Sequence, residues 1–283
     1  MIAVSPASQR RTTGPRTILV TGVSSGIGAA VARDLVSRGH EVIGTSRRPD
    51  AIAEADRVPG VRYIALDQTE PASITACVAE AGDIDVLINN AGVSHMGPLE
   101  DVPMKSLENV FATNVFGPIA LTKAFLPGMR ARRSGTIVMV GSMLGSFPLP
   151  FRSVYGATKS AIKAFSDAMR RELAPFGIAI TTVEPGTIAT GIGDRRVYDI
   201  DDDSAYRADY DVVAAATRRN EDKGLAVEPM AKVIVEAALA ANPKPLYALG
   251  NNASVVFALK RILPTQAMLD VMARFHGLPR ARP

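Results

Sequence analysis

TILVTGVSSGIGAAVARDLVSRG, residues 17–39, decides the architecture of the chain. Its first four residues, 17–20, form an apolar run bounded by turn residues, which reads as a short strand. Residues 26–38 follow a helical pattern that stops at Gly39, a residue suited to the position just past a helix. Between the two lies Thr21-Gly22-Val23-Ser24-Ser25-Gly26-Ile27-Gly28. Glycines let the backbone turn sharply there and approach a pyrophosphate. The helix start adds free N–H groups and the positive end of its dipole. The spacing is G-x-x-x-G-x-G rather than G-x-G-x-x-G, so the turn alone is a weak signal. Its place between a first strand and a helix is the context the mechanism demands.

The same alternation continues outward. EVIGTS (41–46), VRYIAL (61–66), VLIN (86–89), TIVMVG (136–141), IAITTVEP (178–185) and PLYAL (245–249) read as strands. Residues 71–81, 104–132, 154–174 and 228–241 read as helices or mostly helical runs, with Pro71 suited to a first helical position. Apolar strands separated by helices predict an α/β fold, a doubly wound, mainly parallel Rossmann-like sheet with helices on both faces. The expected organisation is a disordered arm over 1–15 and a single domain over 16–283. Within that domain, 187–227 is an insertion that breaks the rhythm and 250–283 is a C-terminal extension. The insertion carries the acidic run DIDDDSAYRADYD. A solvated loop is the plain reading, and a lid over the site is preferred because long loops in compact domains are often functional.

Composition narrows the function. The chain has 283 residues, 47% hydrophobic and 21% charged, an ordinary globular mix. Thirty-two basic against 28 acidic residues leave a modest, scattered +4, and aromatics are only 5%, which argues against nucleic-acid binding. The single cysteine, Cys77, excludes an intrachain disulfide and reads as an inert helix residue. The first residues lack a secretory apolar core, and no apolar run approaches membrane-span length. The expectation is a cytoplasmic protein without a transmembrane segment. No His, Cys, Asp and Glu set has metal-ligand spacing, so no metal is expected.

At the end of the second strand stands Ser46-Arg47-Arg48, where an acid would bind the 2′-hydroxyl of NAD. An arginine instead suits a 2′-phosphate, which predicts NADP(H) over NAD(H). Further along come Asn89-Asn90-Ala91-Gly92, Asn114, Ser142, Tyr155 with Lys159, and Pro185-Gly186. With the opening T-G-x-x-x-G-x-G these motifs, over roughly residues 16–190, resemble the short-chain dehydrogenase/reductase family.

The resemblance implies that Gly22, Ser24, Gly26, Ile27 and Gly28 cradle the cofactor phosphates and ribose; Ser25, in the same turn, is grouped with them. It implies that Asp67 takes the adenine amino group and that Asn89, Ala91 and Gly92 line the cofactor cleft. Pro185, Gly186, Ile188 and Thr190 would surround the nicotinamide. Tyr155 would be the proton donor to a developing oxyanion, with the Lys159 ammonium, on the same helix face, stabilising its phenolate and holding the ribose hydroxyls. Ser142 would hydrogen-bond the substrate oxygen, and Asn114 would hold a water in a proton relay. One departure is Gly141, where many members have a second serine.

The implied activity is hydride transfer between NADP(H) and a carbonyl or secondary alcohol, on bulky lipophilic ketones of steroid, retinoid or polyketide type. The alternatives are a catalytically silent dinucleotide-binding regulator or scaffold, and a nucleotide-sugar epimerase or dehydratase. The four catalytic-type residues argue against the first; the glycine spacing and short chain argue against the second. A homodimer or homotetramer through helices 104–132 and 154–174 is expected from the family. Met143, Leu144 and Phe147 to Phe151 suggest an apolar pocket wall. His95 reads as a partly exposed loop residue at the cleft mouth, His40 as exposed, and His276 as structural or disordered. Lys163, two turns from Tyr155, is expected to face solvent or a subunit contact. The amphipathic run 254–275 could close the pocket, meet a second subunit or touch a membrane. The third is disfavoured because Pro264 breaks the run.

Overall fold

The computed structural model describes residues 14–250 and 252–279; most of the 1–15 arm and the chain's last four residues lie outside them. In chain order the main elements are β1 (Thr17–Thr21), α1 (Gly26–Ser37), β2 (Glu41–Ser46), β3 (Val61–Ala65), α2 (Pro71–Ala81), β4 (Val86–Asn89) and β5 (His95–Met96). Then come α3 (Met104–Phe111), a π-helical turn (Ala112–Phe116), α4 (Gly117–Arg132), β6 (Gly135–Val140), α5 (Met143–Ser146) and α6 (Ser153–Leu173). They are followed by β7 (Ile178–Pro185), β8 (Val197–Tyr198), α7 (Arg207–Asp222), α8 (Val227–Leu239), β9 (Leu246–Leu249), α9 (Ala253–Ile262) and α10 (Thr265–Phe275).

Seven strands form one parallel sheet in the order β3-β2-β1-β4-β6-β7-β9. Side chains alternate across it, as the period of two requires. Ile18, Val20, Val86, Ile88, Val138 and Val140 join one buried cluster with residues of α1 and α8. Leu19, Leu87, Ile137 and Met139 join the other, with residues of α2, α4 and α6. Both faces are covered, so the strands read as continuous apolar runs. The chain winds outward from β1 to β3, then returns to β4 on the other side of β1. That reversal opens a crevice at the carboxyl ends of β1 and β4, where ligands of such sheets bind.

The plain reading of the insertion and the exposed placing of His95 need correction. The insertion at 187–227 is not an unstructured loop: it contains β8 and the four-turn helix α7. Its ends are stitched together, with Leu225 N donating to the Thr187 carbonyl and Ala189 N donating to that of Leu225. Tyr210 and Val213 of α7 pack with Met96 and Leu149 in a small core of their own. His95 is not an exposed loop residue. It is fully buried in β5, which pairs with β8, and its Nε2 lies 2.9 Å from Asp199 Oδ2 in the insertion.

The helical run Met104–Arg132 is, by length and composition, apolar enough to cross a membrane, contrary to the expectation of no such run. Its buried side chains, Val115, Leu121, Phe125 and Met129 among them, pack in the clusters beneath the sheet, as those of a core helix do. Cys77 is buried, and burial pushes its thiol up to about 11, the inert state expected of it. His40 is half-buried, and its Nδ1 accepts from Arg16 N.

Candidate active site

The glycine turn is held by its neighbours. Gly22 N and Val23 N both donate to the Thr45 carbonyl at the end of β2. Thr21 Oγ1 accepts from Asn90 N and Ala91 N, and Asn90 Nδ2 donates to the Thr21 and Gly22 carbonyls. Gly22 and Gly26 both take positive φ, +74° and +58°, which favours glycine. A Cβ on Gly22 would stand 3.0 Å from Ala91 Cα. The helix start at Ser25 has no side-chain cap and no acid in its first turn. Its N–H groups are therefore left for an anion, and the cradle fits a dinucleotide pyrophosphate.

A cleft of about 1050 Å³ runs from this turn across the sheet ends. Gly22, Ser24, Ser25, Gly26, Ile27, Ser46, Arg47, Asp67, Ala91, Gly92, Pro185, Gly186, Ile188 and Thr190 line it, as do Ser142, Tyr155 and Lys159. Four expected residues do not. Gly28 abuts the turn from behind, and Arg48 is exposed away from the cleft. Asn114 sits beneath the floor at 2% exposure. Asn89 points into the core, where its Nδ2 donates to Thr122 Oγ1. Along β4 it shares a face with Leu87, and Asn90 is the cleft residue instead.

Arg47 is the cationic side chain at the end of β2 that faces the cleft. Its field, after the two hydrogen bonds from Thr69, helps hold the Asp67 carboxyl below the usual carboxylate range. Asp50, the nearest acid downstream, sits in a separate 3₁₀ turn over Pro49–Ala51 and does not line the cleft.

At the reacting end, Ser142 Oγ accepts from Leu144 N at 3.2 Å, so its own O–H is left to donate. Lys159 Nζ donates to the Val140 carbonyl at 3.0 Å and lies 5.7 Å from the centre of the Tyr155 ring. That contact turns the ammonium toward the last strand residue before Ser142. Both amide hydrogens of Asn114 are spent, on the Val93 carbonyl and Thr158 Oγ1, and its Oδ1 accepts from Val93 N. Thr158 in turn donates to the Tyr155 carbonyl. Asn114 lies in the π turn, where the helical ladder is interrupted.

Gly141 has a local reason. A Cβ there would stand 3.2 Å from Thr182 Cγ2 and 3.3 Å from Glu184 Cγ, tight against β7. Of the expected apolar wall, Met143, Leu144, Phe147 and Leu149 line the cleft. Val255, Val256 and Leu259 of α9 and Val271, Met272 and Phe275 of α10 complete it, which places the C-terminal run over the pocket. Lys163 turns away and pairs with Asp167. His276 is buried against the cleft, its Nδ1 on the Met272 carbonyl, and burial lowers its pKa. Ser94, Arg152, Arg196 and Thr217, which no sequence motif marks, also line the cleft. Among the described residues no group of three or more His, Cys, Asp or Glu side chains could hold a metal ion.

The family model for short chain dehydrogenases matches residues 16–200. Retinol dehydrogenase 8 of Bos taurus is 31% identical over 273 residues, covering 90% of this chain and 88% of its own. The crystal structure of a short-chain dehydrogenase from Streptomyces avermitilis superposes with a TM-score of 0.75 at 32% identity, over 88% of this chain and 96% of that one. A serine dehydrogenase in its closed form, complexed with NADP+, matches with a TM-score of 0.70 at 29% identity, over 84% and 95% of the two chains.

Proposed function

The chain belongs to the short-chain dehydrogenase/reductase family of NAD(P)-dependent enzymes, and on that premise we propose that it reduces lipophilic ketones with NADPH, or oxidises the corresponding alcohols. The observation that carries this reading is the convergence of Ser142, Tyr155 and Lys159 on one cleft that begins at an uncapped, glycine-lined helix start.

The bound nicotinamide would supply the hydride; the chain supplies position and electrostatics. Gly22 to Ile27 would hold the pyrophosphate, and Pro185, Gly186, Ile188 and Thr190 the nicotinamide end. Ser142 Oγ–H would donate to the carbonyl oxygen, and Tyr155 would donate a proton to that oxygen as negative charge develops. Lys159 would stabilise the resulting phenolate and draw a replacement proton through a water held by Asn114. The apolar wall from α5, α9 and α10 would exclude bulk water and seat a hydrophobic body, in keeping with a relative named as a retinol dehydrogenase. The insertion would act as the lid.

Preference for NADP(H) rests on Arg47, with support from the NADP+ complex of a structural relative. Arg47→Ala is expected to raise the KM for NADPH by about 10–100-fold, the loss of a charge-assisted contact. The KM for NADH should stay within a few-fold. A carbonyl panel run with both cofactors checks this, and a wild-type preference for NADH would overturn it.

Subunit association belongs to the same proposal. Met104, Phe116 and Phe165 stand exposed on the helical run 104–132 and on α6, at 66%, 64% and 44%. Light scattering should report a dimer or tetramer, and Phe116→Glu with Phe165→Glu should shift it towards monomer. A wild-type monomer at assay concentrations would refute the interface. A cytoplasmic setting is also proposed, and cell fractionation tests it.

A further inference from the structure

Two arginines meet beside Tyr155, and the chemistry above uses neither. Arg152 precedes α6 and Arg196 lies in the insertion, yet Arg152 Nη2 and Arg196 Nε both donate to Ser94 Oγ, each at 3.0 Å. One hydroxyl oxygen has two lone pairs, so Ser94 accepts both and keeps its own O–H to give. Both guanidinium side chains belong to residues more than nine-tenths buried, at 5% and 8% exposure. Arg196 has its counter-charge, an ion pair with Glu221. Arg152 shares that same carboxylate's field without pairing to it. Its guanidinium lies 5.0 Å from the centre of the Tyr155 ring, and its Nε is buried with no partner. Thr217, from α7, also lines the cleft, and its Oγ1 is buried and unpartnered.

Two guanidiniums against one carboxylate leave one buried positive charge in excess. Burial, and then the Arg196 charge, lower the pKa of Arg152 to about 10, so it remains a cation at neutral pH. An unpaired buried cation is costly, and a site that receives an anion relieves it. We infer that Arg152, with Ser94 and Thr217, binds a carboxylate on the substrate, so that the ketone is a keto acid with an apolar tail. This deepens the ketone-reduction reading and rests on it. The guanidinium lies over the ring of the proton donor, so the carboxylate would sit about three to five bonds from the reacting carbon. A γ-keto fatty acid meets that spacing. Its tail would run along Leu144, Leu149 and Met272.

The test uses the full chain, NADPH, a medium-chain γ-keto fatty acid and its methyl ester. Wild type should prefer the acid in kcat/KM by about 10–100-fold, the effect of a charge-assisted hydrogen bond. Arg152→Gln should bring the ratio near one, and Arg152→Lys should restore part of it. Where Arg152→Gln melts too low to assay, Thr217→Val should still narrow the ratio. A merely structural arginine would change stability and leave the acid-to-ester ratio alone, which would overturn the site. Equal turnover of acid and ester by wild type would overturn it too, while leaving ketone reduction intact. Absence of turnover on every ketone would overturn the underlying reading, and the carboxylate site would fall with it.

Discussion

Tyr155→Phe is expected to lower kcat by about 10²–10⁴-fold while NADPH affinity stays within a few-fold, as the loss of a positioned general acid requires. The substitution removes one oxygen and keeps the ring. The centre of that ring lies 5.0 Å from the Arg152 guanidinium and 5.7 Å from the Lys159 ammonium. Both contacts are made with the ring and survive the substitution, as does the Lys159 contact with the Val140 carbonyl. Ser142, one strand end away, keeps its hydroxyl for the substrate oxygen and would account for the residual rate. The check is a kcat comparison with fluorescence titration of NADPH on the same preparations. Unchanged kcat in the variant would remove Tyr155 from the mechanism; a parallel loss of NADPH binding would make its role structural.

Much of this site was legible because its chemistry is written locally. Tyr155 and Lys159 are four residues apart, so helical geometry alone places them on one face. The glycine turn sits between a run of four apolar residues and a periodic helix, and the sheet strands are apolar from end to end because both faces are covered. What stayed hidden has physical causes. The π turn at Ala112–Phe116 adds one residue to a helical ladder whose apolar spacing looks regular, so 104–132 read as mostly one helix. The family resemblance puts Asn89 in the cleft, although the alternation of VLIN puts it on Leu87's face, toward α4. The helix α7 was masked by its charges. Only Tyr210, Val213, Ala216 and Thr217 are buried, a narrow stripe in an acidic stretch. Arg152, Arg196 and Ser94 converge through three distant segments, and no spacing rule could pair them.

Gly28→Ala is expected to be among the most damaging single-methyl changes in the chain. A Cβ at Gly28 would fall 2.2 Å from the Gly22 carbonyl oxygen, 2.6 Å from Asn90 Nδ2 and 2.9 Å from the Gly22 carbonyl carbon. Two of those atoms are backbone, so no side-chain rotation relieves the overlap. The third belongs to the asparagine that donates to the Thr21 and Gly22 carbonyls. The methyl group must therefore push α1 off the turn, or push the turn off its clamp. Overpacking of this kind costs about 1–3 kcal/mol or more in stability. Because the displaced atoms are the cradle itself, NADPH affinity should fall by about 10–100-fold as well.

Gly39→Ala separates the two effects. Gly39 also takes a positive φ, +80°, but nothing lies within 4 Å of its Cβ position. Alanine there should carry only left-handed backbone strain, about 1–2 kcal/mol, with NADPH affinity unchanged. Thermal unfolding and cofactor titration of both variants give the comparison. If Gly28→Ala loses stability as Gly39→Ala does and yet binds NADPH as wild type does, the turn at 21–28 is a packing feature and the cofactor must be held elsewhere. If binding falls only in Gly28→Ala, the missing side chain at that position is what lets helix and turn meet closely enough to hold a phosphate.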